Sequence, residues 1–218
     1  MADHTHTEVA SDGSALLRNE PVQARSTARL ASLLDAAAAI IDEIGYERLT
    51  TAMVAERAGA SIGTVYRYFP DRIVVLQSLS ARSLGGFVEG TRRTMLDPAH
   101  ATWWDAVGAC IVGMTSAFRS LPGFRSLRLG DVLDVRPALS AQSGSTVVAT
   151  AGAAVISERF GLPLDDLAHR LEVVIVVADS LLSRAFASDS NGDSKLIDEA
   201  MTISKAYLTG FYGDPGQH

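Results

Sequence analysis

Apolar residues recur at steps of three and four along most of the chain, which is the spacing of one face of an α-helix. Glycine, proline and capping residues interrupt this pattern, and no stretch shows the sustained alternation typical of a β-strand. The pattern therefore predicts an all-α protein. The predicted helices cover approximately residues 26–44, 51–58, 62–69, 71–95, 103–120, 146–160, 164–186 and 194–211, with a short helix and a loop within residues 124–143.

The same pattern divides the chain into three regions. Residues 1–20 are polar and aperiodic, and we expect a disordered tail there. Residues 21–70 contain the first helix and two short helices, which are predicted to form a small N-terminal domain. Residues 71–213 contain the longer helices and are predicted to form a larger helical domain.

Composition narrows the class of protein. With 218 residues, of which 47% are hydrophobic, the chain is long enough to bury a core without disulfides or metals. Cys110 is the only cysteine, which excludes an intrachain disulfide and a zinc site built from several thiolates. The apolar run at residues 173–178 is far shorter than the ~20 residues that cross a bilayer. We therefore expect a cytoplasmic protein with no membrane contact.

The net charge of −6 is unevenly distributed along the chain. Residues 18–95 carry ten arginines against eight acidic residues, whereas residues 96–218 carry nine basic residues against fourteen acidic ones. Arginine supplies seventeen of the nineteen basic side chains, and its planar guanidinium suits both phosphate and guanine. The negative total therefore does not exclude nucleic-acid binding by the first part.

The two short predicted helices have the features of a helix-turn-helix. Either Thr50 or Thr51 can cap the first helix, and Ser61 can cap the second. Gly59 lies between them, where a turn needs a left-handed backbone, and Ala55 is small enough for the helices to cross closely. The outward face of the second helix carries groups that can bind base edges and phosphates. The predicted apolar underside is Val54, Ala58 and Val65, the outward residues are Thr64, Tyr66, Arg67 and Tyr68, and Phe69 is predicted to lie in the core.

Residues 34–76 resemble the N-terminal domain of the TetR family of bacterial transcriptional regulators. The hallmark of that family appears here as the run AGASIGTVYRYFPDR from Ala58 to Arg72, followed by Leu76. The order Ile-Gly-Thr-Val-Tyr-x-Tyr-Phe after a short capped helix is a specific signal. The resemblance covers about fifty residues, and the rest of the chain is similar to the family in length and helical character only.

The resemblance implies a set of residues that contact double-stranded DNA. Arg67 is the candidate for a base contact, with guanine as the expected base. Arg72 stands where the family usually has a lysine, so the positive charge is kept. The implied set is Thr51 for phosphate, Ser61, Thr64 and Arg67 for the groove, Tyr66 and Tyr68 for backbone or bases, Arg72 for phosphate, and Arg25 and Arg29 for the backbone or minor groove.

The larger domain is expected to form a homodimer and to bind an effector. One helix-turn-helix covers only a few base pairs, so two copies on a twofold axis are the usual arrangement. The helices at residues 164–186 and 194–211 have excess apolar surface and are the candidates for the dimer interface; the alternative is an entirely internal bundle. The effector is expected to be a small apolar or amphipathic molecule. The candidate pocket residues are Phe87, Trp103, Trp104, Met114, Phe118, Phe124 and Asp179, with Arg119, Arg125 and Asp131 as further polar candidates.

These features predict a regulator, in the first place a repressor that leaves a palindromic operator when the effector binds. Activation and ligand-independent regulation remain open alternatives. An all-helical enzyme would need a grouping of nucleophile, base or metal ligands, and we find none in the sequence, so we predict no catalytic site, metal or cofactor. A small-molecule-binding carrier would not need the polar second helix of a helix-turn-helix.

Overall fold

The computed structural model describes residues 13–128 and 142–216. Within these ranges all regular structure is helical, which confirms the all-α prediction. The helices are α1 (Gly13–Ile44), α2 (Thr51–Arg57), α3 (Ile62–Tyr68), α4 (Arg72–Met95), α5 (Trp103–Ser120), α6 (Phe124–Leu127), α7 (Gly144–Phe160), α8 (Leu167–Ala185) and α9 (Ser194–Tyr212), and a 3₁₀ turn covers Tyr46–Arg48.

The largest difference from the predicted boundaries is at the start of α1. The sequence pattern places this start near Ser26, whereas the helix begins at Gly13. Most of the additional residues are Ala, Leu, Arg, Glu or Gln, which favour a helix even where no apolar stripe is present. The prediction depended on that stripe and therefore missed them. Residues 1–12 of the predicted tail and residues 129–141 of the predicted loop lie outside the described residues.

Side-chain caps fix the starts of α2, α3 and α4. Thr50, Ser61 and Asp71 each accept a hydrogen bond from the amide three residues later, at 3.2, 3.1 and 3.0 Å. These bonds satisfy amides that have no partner inside the helix. Of the two candidates for the α2 cap, Thr50 is the cap and Thr51 is the first helical residue.

Two hydrophobic clusters define an N-terminal and a C-terminal core. The N-terminal cluster joins α1, α2, α3 and the first half of α4, and the C-terminal cluster joins α5, α7, α8, α9 and the end of α4. Helix α4 contributes Leu76 and Leu79 to the first cluster and Met95 to the second. Helix α6 also spans both, because Leu127 is buried in the first and Phe124 in the second. These two helices therefore connect the two cores directly.

The C-terminal core is a bundle in which α8 packs against α5, α7 and α9. Leu171, Val174 and Ala178 form part of the buried face of α8. Helix α7 approaches α4 closely at Gly152, where an added Cβ would lie 3.1 Å from Met95 Cε. Among the residues described here, no helix combines the length and the apolar character needed to span a bilayer.

Candidate nucleic-acid interface and effector cavity

Helices α2 and α3 form a helix-turn-helix. Gly59 in the turn has a φ of 59°, a left-handed conformation that favours glycine. The Ala60 amide donates a hydrogen bond to the Ala55 carbonyl at 2.9 Å, which closes the turn. Val54 of α2 and Val65 of α3 are completely buried in the N-terminal cluster. The apolar underside thus holds α3 in a fixed position and leaves its other side outward.

The outward face of α3 is open to solvent. Tyr66 is 53% exposed and Ile62 is 42% exposed. Arg67 and Ser61 are also exposed, whereas Thr64 is half-buried. The hydroxyls of Ser61 and Thr64 lie 2.9 Å apart and form a hydrogen bond with each other. The face therefore presents a cation, a phenol and a pair of hydroxyls within two turns of helix.

Tyr68 links α3 to α1. Its side chain is half-buried, and its hydroxyl lies 3.1 Å from Ser26 Oγ. This hydrogen bond with Ser26, helped by the nearby charges of Arg67 and Arg29, lowers the pKa of Tyr68. The Arg67 guanidinium lies over the Tyr68 ring, with 5.3 Å between Cζ and the ring centroid. Tyr68 therefore positions both α3 and Arg67.

A groove of about 830 Å³, here called the basic groove, separates α1 from the end of α3. Arg25, Arg29 and Arg67 line it, and none of the described residues that line it is acidic. Arg25 and Arg29 are four residues apart and so lie on the same face of α1. Three guanidinium groups around one concave surface attract phosphate. The structure thus brings together arginines from two separate parts of the sequence prediction.

Thr51 and Arg72 lie at the starts of α2 and α4. Thr51 is half-buried, and its hydroxyl makes no hydrogen bond to another described residue. Arg72 Nη1 donates a hydrogen bond to the Glu47 carbonyl oxygen at 2.5 Å, which ties α4 to the 3₁₀ turn. A guanidinium has five N–H donors, so this bond leaves others available for a phosphate.

Two adjacent cavities lie around the middle of α4. The larger one, here called the effector cavity, has a volume of about 700 Å³ and is bounded by α1, α4, α5 and the turn at Leu121 and Pro122. The smaller one, here called the inner cleft, has about 30 Å³ and lies between α4, α5, α7 and α8. Phe87, Thr91 and Cys110 line both cavities. The wide effector cavity therefore adjoins the narrow inner cleft in the C-terminal core.

The apolar pocket candidates separate into two groups. Phe87 lines both cavities, and Met114 lines the inner cleft. Trp103, Phe118 and Phe124 line neither cavity and are only 1–2% exposed, because they pack inside the C-terminal core. Core and pocket residues are both apolar, so the sequence pattern could not distinguish them.

The remaining pocket candidates also lie away from both cavities. Trp104 is half-buried beside the C-terminal core. Asp179 forms an ion pair with Arg128, with 2.8 Å between Oδ2 and Nη1. Of the further polar candidates, Arg119 and Arg125 do not line the cavities and donate hydrogen bonds to backbone carbonyls. Asp131 lies outside the described residues.

Several residues that line the effector cavity were not predicted from the sequence. Arg82 of α4 and Asp35 of α1 form an ion pair there, with 2.7 Å between Nη1 and Oδ1. Gly86, Gly90 and Gly113 line the same cavity from α4 and α5. The available signal was the presence of glycines inside helices, where they are unfavourable and often have a packing or functional reason.

The outward faces of α8 and α9, here called the α8–α9 face, carry exposed apolar side chains. Val176 is 50% exposed, Ile203 is 42% exposed and Phe211 is 52% exposed. Val173 and Val177 are half-buried beside them. Helix α8 is therefore apolar on two sides, as its sequence predicts, and the chain itself covers only one of them.

These features define a helix-turn-helix DNA-binding protein with a second helical domain that contains a cavity. Residues 33–77 match the family described as bacterial regulatory proteins, tetR family, and residues 101–212, more than half of the chain, match the tetracyclin repressor-like C-terminal domain. The crystal structure of a TetR-family transcriptional regulator from Streptomyces coelicolor is 30% identical, with a TM-score of 0.70 over 84% of this chain and 98% of that chain. The chain belongs to the TetR family of bacterial transcriptional regulators, which confirms the resemblance found in the sequence.

Curated relatives match the N-terminal part of the chain. The HTH-type transcriptional repressor KstR of Rhodococcus jostii is 46% identical over 50 residues, which are 23% of this chain and 24% of that protein. The fatty acid metabolism regulator protein of Bacillus subtilis is 33% identical over 69 residues, 32% of this chain and 36% of that protein. The matches thus cover about a quarter to a third of these relatives. FadR from Bacillus subtilis, solved with stearoyl-CoA, shares the fold at 19% identity, with a TM-score of 0.56 over 84% of this chain and 99% of that chain.

Proposed function

We propose that this chain is a homodimeric repressor that binds a palindromic operator and leaves it when a small amphipathic effector occupies the C-terminal domain. The observation that carries the DNA-binding part is the exposed face of α3 beside the basic groove. A bacterial regulator of this kind acts on chromosomal DNA, so we also propose that it works in the cytoplasm.

In this proposal α3 enters the major groove and the arginines of α1 approach the adjacent backbone or minor groove. Arg67 reads a base, and the Tyr68 ring under its guanidinium restricts the positions that the guanidinium can take. Tyr66, Thr64 and Ser61 contact bases or backbone from the same face. Thr51 and Arg72 contact phosphates at the starts of their helices, where the amide dipoles also favour an anion.

A dimer is required because one α3 helix reads only a few base pairs. The α8–α9 face supplies the surface for a second copy, since Val176, Ile203 and Phe211 would otherwise remain in water. Two-fold pairing of α8 and α9 gives a four-helix bundle and places two α3 helices on one side of the dimer. The operator half-sites are then expected about one DNA turn apart, or a multiple of it.

Release by an effector requires a ligand that binds one arrangement of the two domains better than the other. The effector cavity has a volume in the range of small-molecule sites, roughly 300–1,000 Å³. It lies where α4 passes from the N-terminal core to the C-terminal core, so a bound molecule contacts the segment that sets the position of α3. That FadR from Bacillus subtilis holds stearoyl-CoA in a similar fold supports an amphipathic effector here.

Fluorescence anisotropy with labelled DNA from upstream of the gene tests the DNA-binding surface. The double variant Arg67→Ala with Tyr66→Ala is expected to lose about 1–3 kcal/mol of operator affinity per base contact, with unchanged circular dichroism because both side chains are exposed. Arg93→Ala, at the far end of α4, is the matched control and should bind as the wild type does. Wild-type affinity in the double variant would refute α3 as the reading helix.

A further inference from the structure

The effector cavity carries only two charged side chains in its described lining, and they belong to different domains. Arg82 lies on α4, and Asp35 lies on α1 of the N-terminal domain. Their ion pair forms part of the cavity lining, with 2.7 Å between Nη1 and Oδ1. The Arg82 side chain is 38% exposed and that of Asp35 is 71% exposed. An ion pair so close to water contributes little stability, so another anion can replace Asp35 at small cost.

Glycine keeps the cavity open. Gly86 and Gly90 of α4 and Gly113 of α5 line it, and a Cβ added at any of the three would have no neighbouring atom within 4 Å. Close packing therefore does not require glycine at these positions, although glycine is unfavourable inside a helix. The missing side chains leave space between Arg82 and the apolar entrance at Phe87.

One polar side chain on α4, that of Thr91, faces the same space. Thr91 is 7% exposed and lines both the effector cavity and the inner cleft. Its hydroxyl makes no hydrogen bond to another described residue, not even to the carbonyl four residues earlier, the bond that Thr115 makes at 2.9 Å. The hydroxyl oxygen is not among the fully buried atoms, so it is open to the cavity and can pair with a polar atom of a ligand.

From these observations we infer that the effector is an amphipathic anion whose head group replaces Asp35 on Arg82. Its apolar part passes Phe87 towards the inner cleft, and a polar atom along it meets the Thr91 hydroxyl. This inference rests on the proposed function and specifies its effector. Because Asp35 belongs to α1, the ligand and the N-terminal domain compete for one guanidinium, so binding of the anion removes the Arg82–Asp35 contact between α1 and α4.

Isothermal titration with decanoate and with decanol, which differ in the charged head group, tests this assignment. We expect decanoate to bind wild-type protein about tenfold more tightly than decanol. Arg82→Gln should remove this difference, whereas Arg93→Gln, the control on an exposed part of α4, should keep it. Asp35→Asn should strengthen decanoate binding by about two- to fivefold, because the competing carboxylate is gone. A charge preference that survives Arg82→Gln, or weaker decanoate binding in Asp35→Asn, would overturn the inference.

A second pair of variants tests the location of the apolar part. Gly86→Leu fills the cavity, whereas Gly85→Leu places the same side chain on α4 outside the cavity lining, also with no atom within 4 Å of its Cβ. Only Gly86→Leu should abolish decanoate binding; equal effects would count against the cavity.

Operator affinity of the ligand-free protein, measured in parallel, separates the two proposals. If the ligand-free wild-type protein does not bind the operator, the proposed function is refuted. If it binds the operator and decanoate does not weaken that binding, only this inference is refuted.

Discussion

The N-terminal and C-terminal halves of this chain are built in different ways. The helix-turn-helix is held by specific polar contacts to α1: the two oxygens of Glu43 accept hydrogen bonds from Arg57 at 2.6 and 2.9 Å, and Tyr68 is bonded to Ser26. The middle of α4 instead borders two cavities and carries glycines at which an added Cβ would have no neighbouring atom within 4 Å. A DNA-binding helix-turn-helix must keep one shape, whereas an effector site must leave space for a ligand. The two halves satisfy these opposite requirements.

The largest expected effect compares the same substitution in the two halves. Phe69 is 1% exposed and joins α3 to the N-terminal core, so Phe69→Ala should lower the free energy of unfolding by about 3–5 kcal/mol. Phe87 is half-buried and borders empty space, so Phe87→Ala should cost only about 1 kcal/mol. Urea denaturation measures both values. Equal losses would show that α4 is as tightly packed at the cavity as α3 is at the core.

The same contrast between the two halves explains how much of each could be predicted from the sequence. The helix-turn-helix depends on neighbours in the chain, a cap at Ser61, a turn at Gly59 and an apolar underside, so its position and boundaries were predictable. The basic groove and the cavity depend on residues far apart in sequence, such as Arg25 with Arg67 and Arg82 with Asp35. The apolar pattern could not reveal those pairs, and it assigned core residues such as Phe118 to the pocket because core and lining have the same chemistry.

Two glycines that have no atom near an added Cβ should respond in opposite directions to alanine. Gly59 has a φ of 59°, a conformation that disfavours any side chain, so Gly59→Ala should destabilise the fold by about 1–2 kcal/mol. Gly86 lies inside α4 with no close neighbour, so Gly86→Ala should stabilise it by about 0.5–1 kcal/mol. Thermal unfolding distinguishes the signs. Destabilisation by Gly86→Ala would mean that α4 needs glycine for its own packing.

Adjacent threonines at the start of α2 should separate stability from DNA affinity. The side chain of Thr50 accepts the capping hydrogen bond from the Met53 amide, so Thr50→Ala should cost about 1 kcal/mol of folding free energy. Thr51 makes no such bond, and Thr51→Ala should leave folding nearly unchanged while weakening operator binding through a lost phosphate contact. Urea denaturation and anisotropy on both variants give the comparison. Equal losses of stability would contradict the assignment of the cap.

The smallest effect at neutral pH concerns Cys110, which borders both cavities. Burial raises the pKa of its thiol to about 12, so the folded state binds this proton more tightly than the unfolded chain does. The resulting stability is present in full below the unfolded pKa of about 8.5 and is lost as the pH rises towards 12.

The rate of alkylation by iodoacetamide should therefore keep rising about tenfold per pH unit above pH 9 in the folded protein, whereas in urea it levels off near pH 9. Cys110 is the only thiol, so the measured rate reports this site alone. A plateau near pH 9 in the folded protein would mean that water reaches the thiol through the effector cavity and that the C-terminal half is more open than its packing implies.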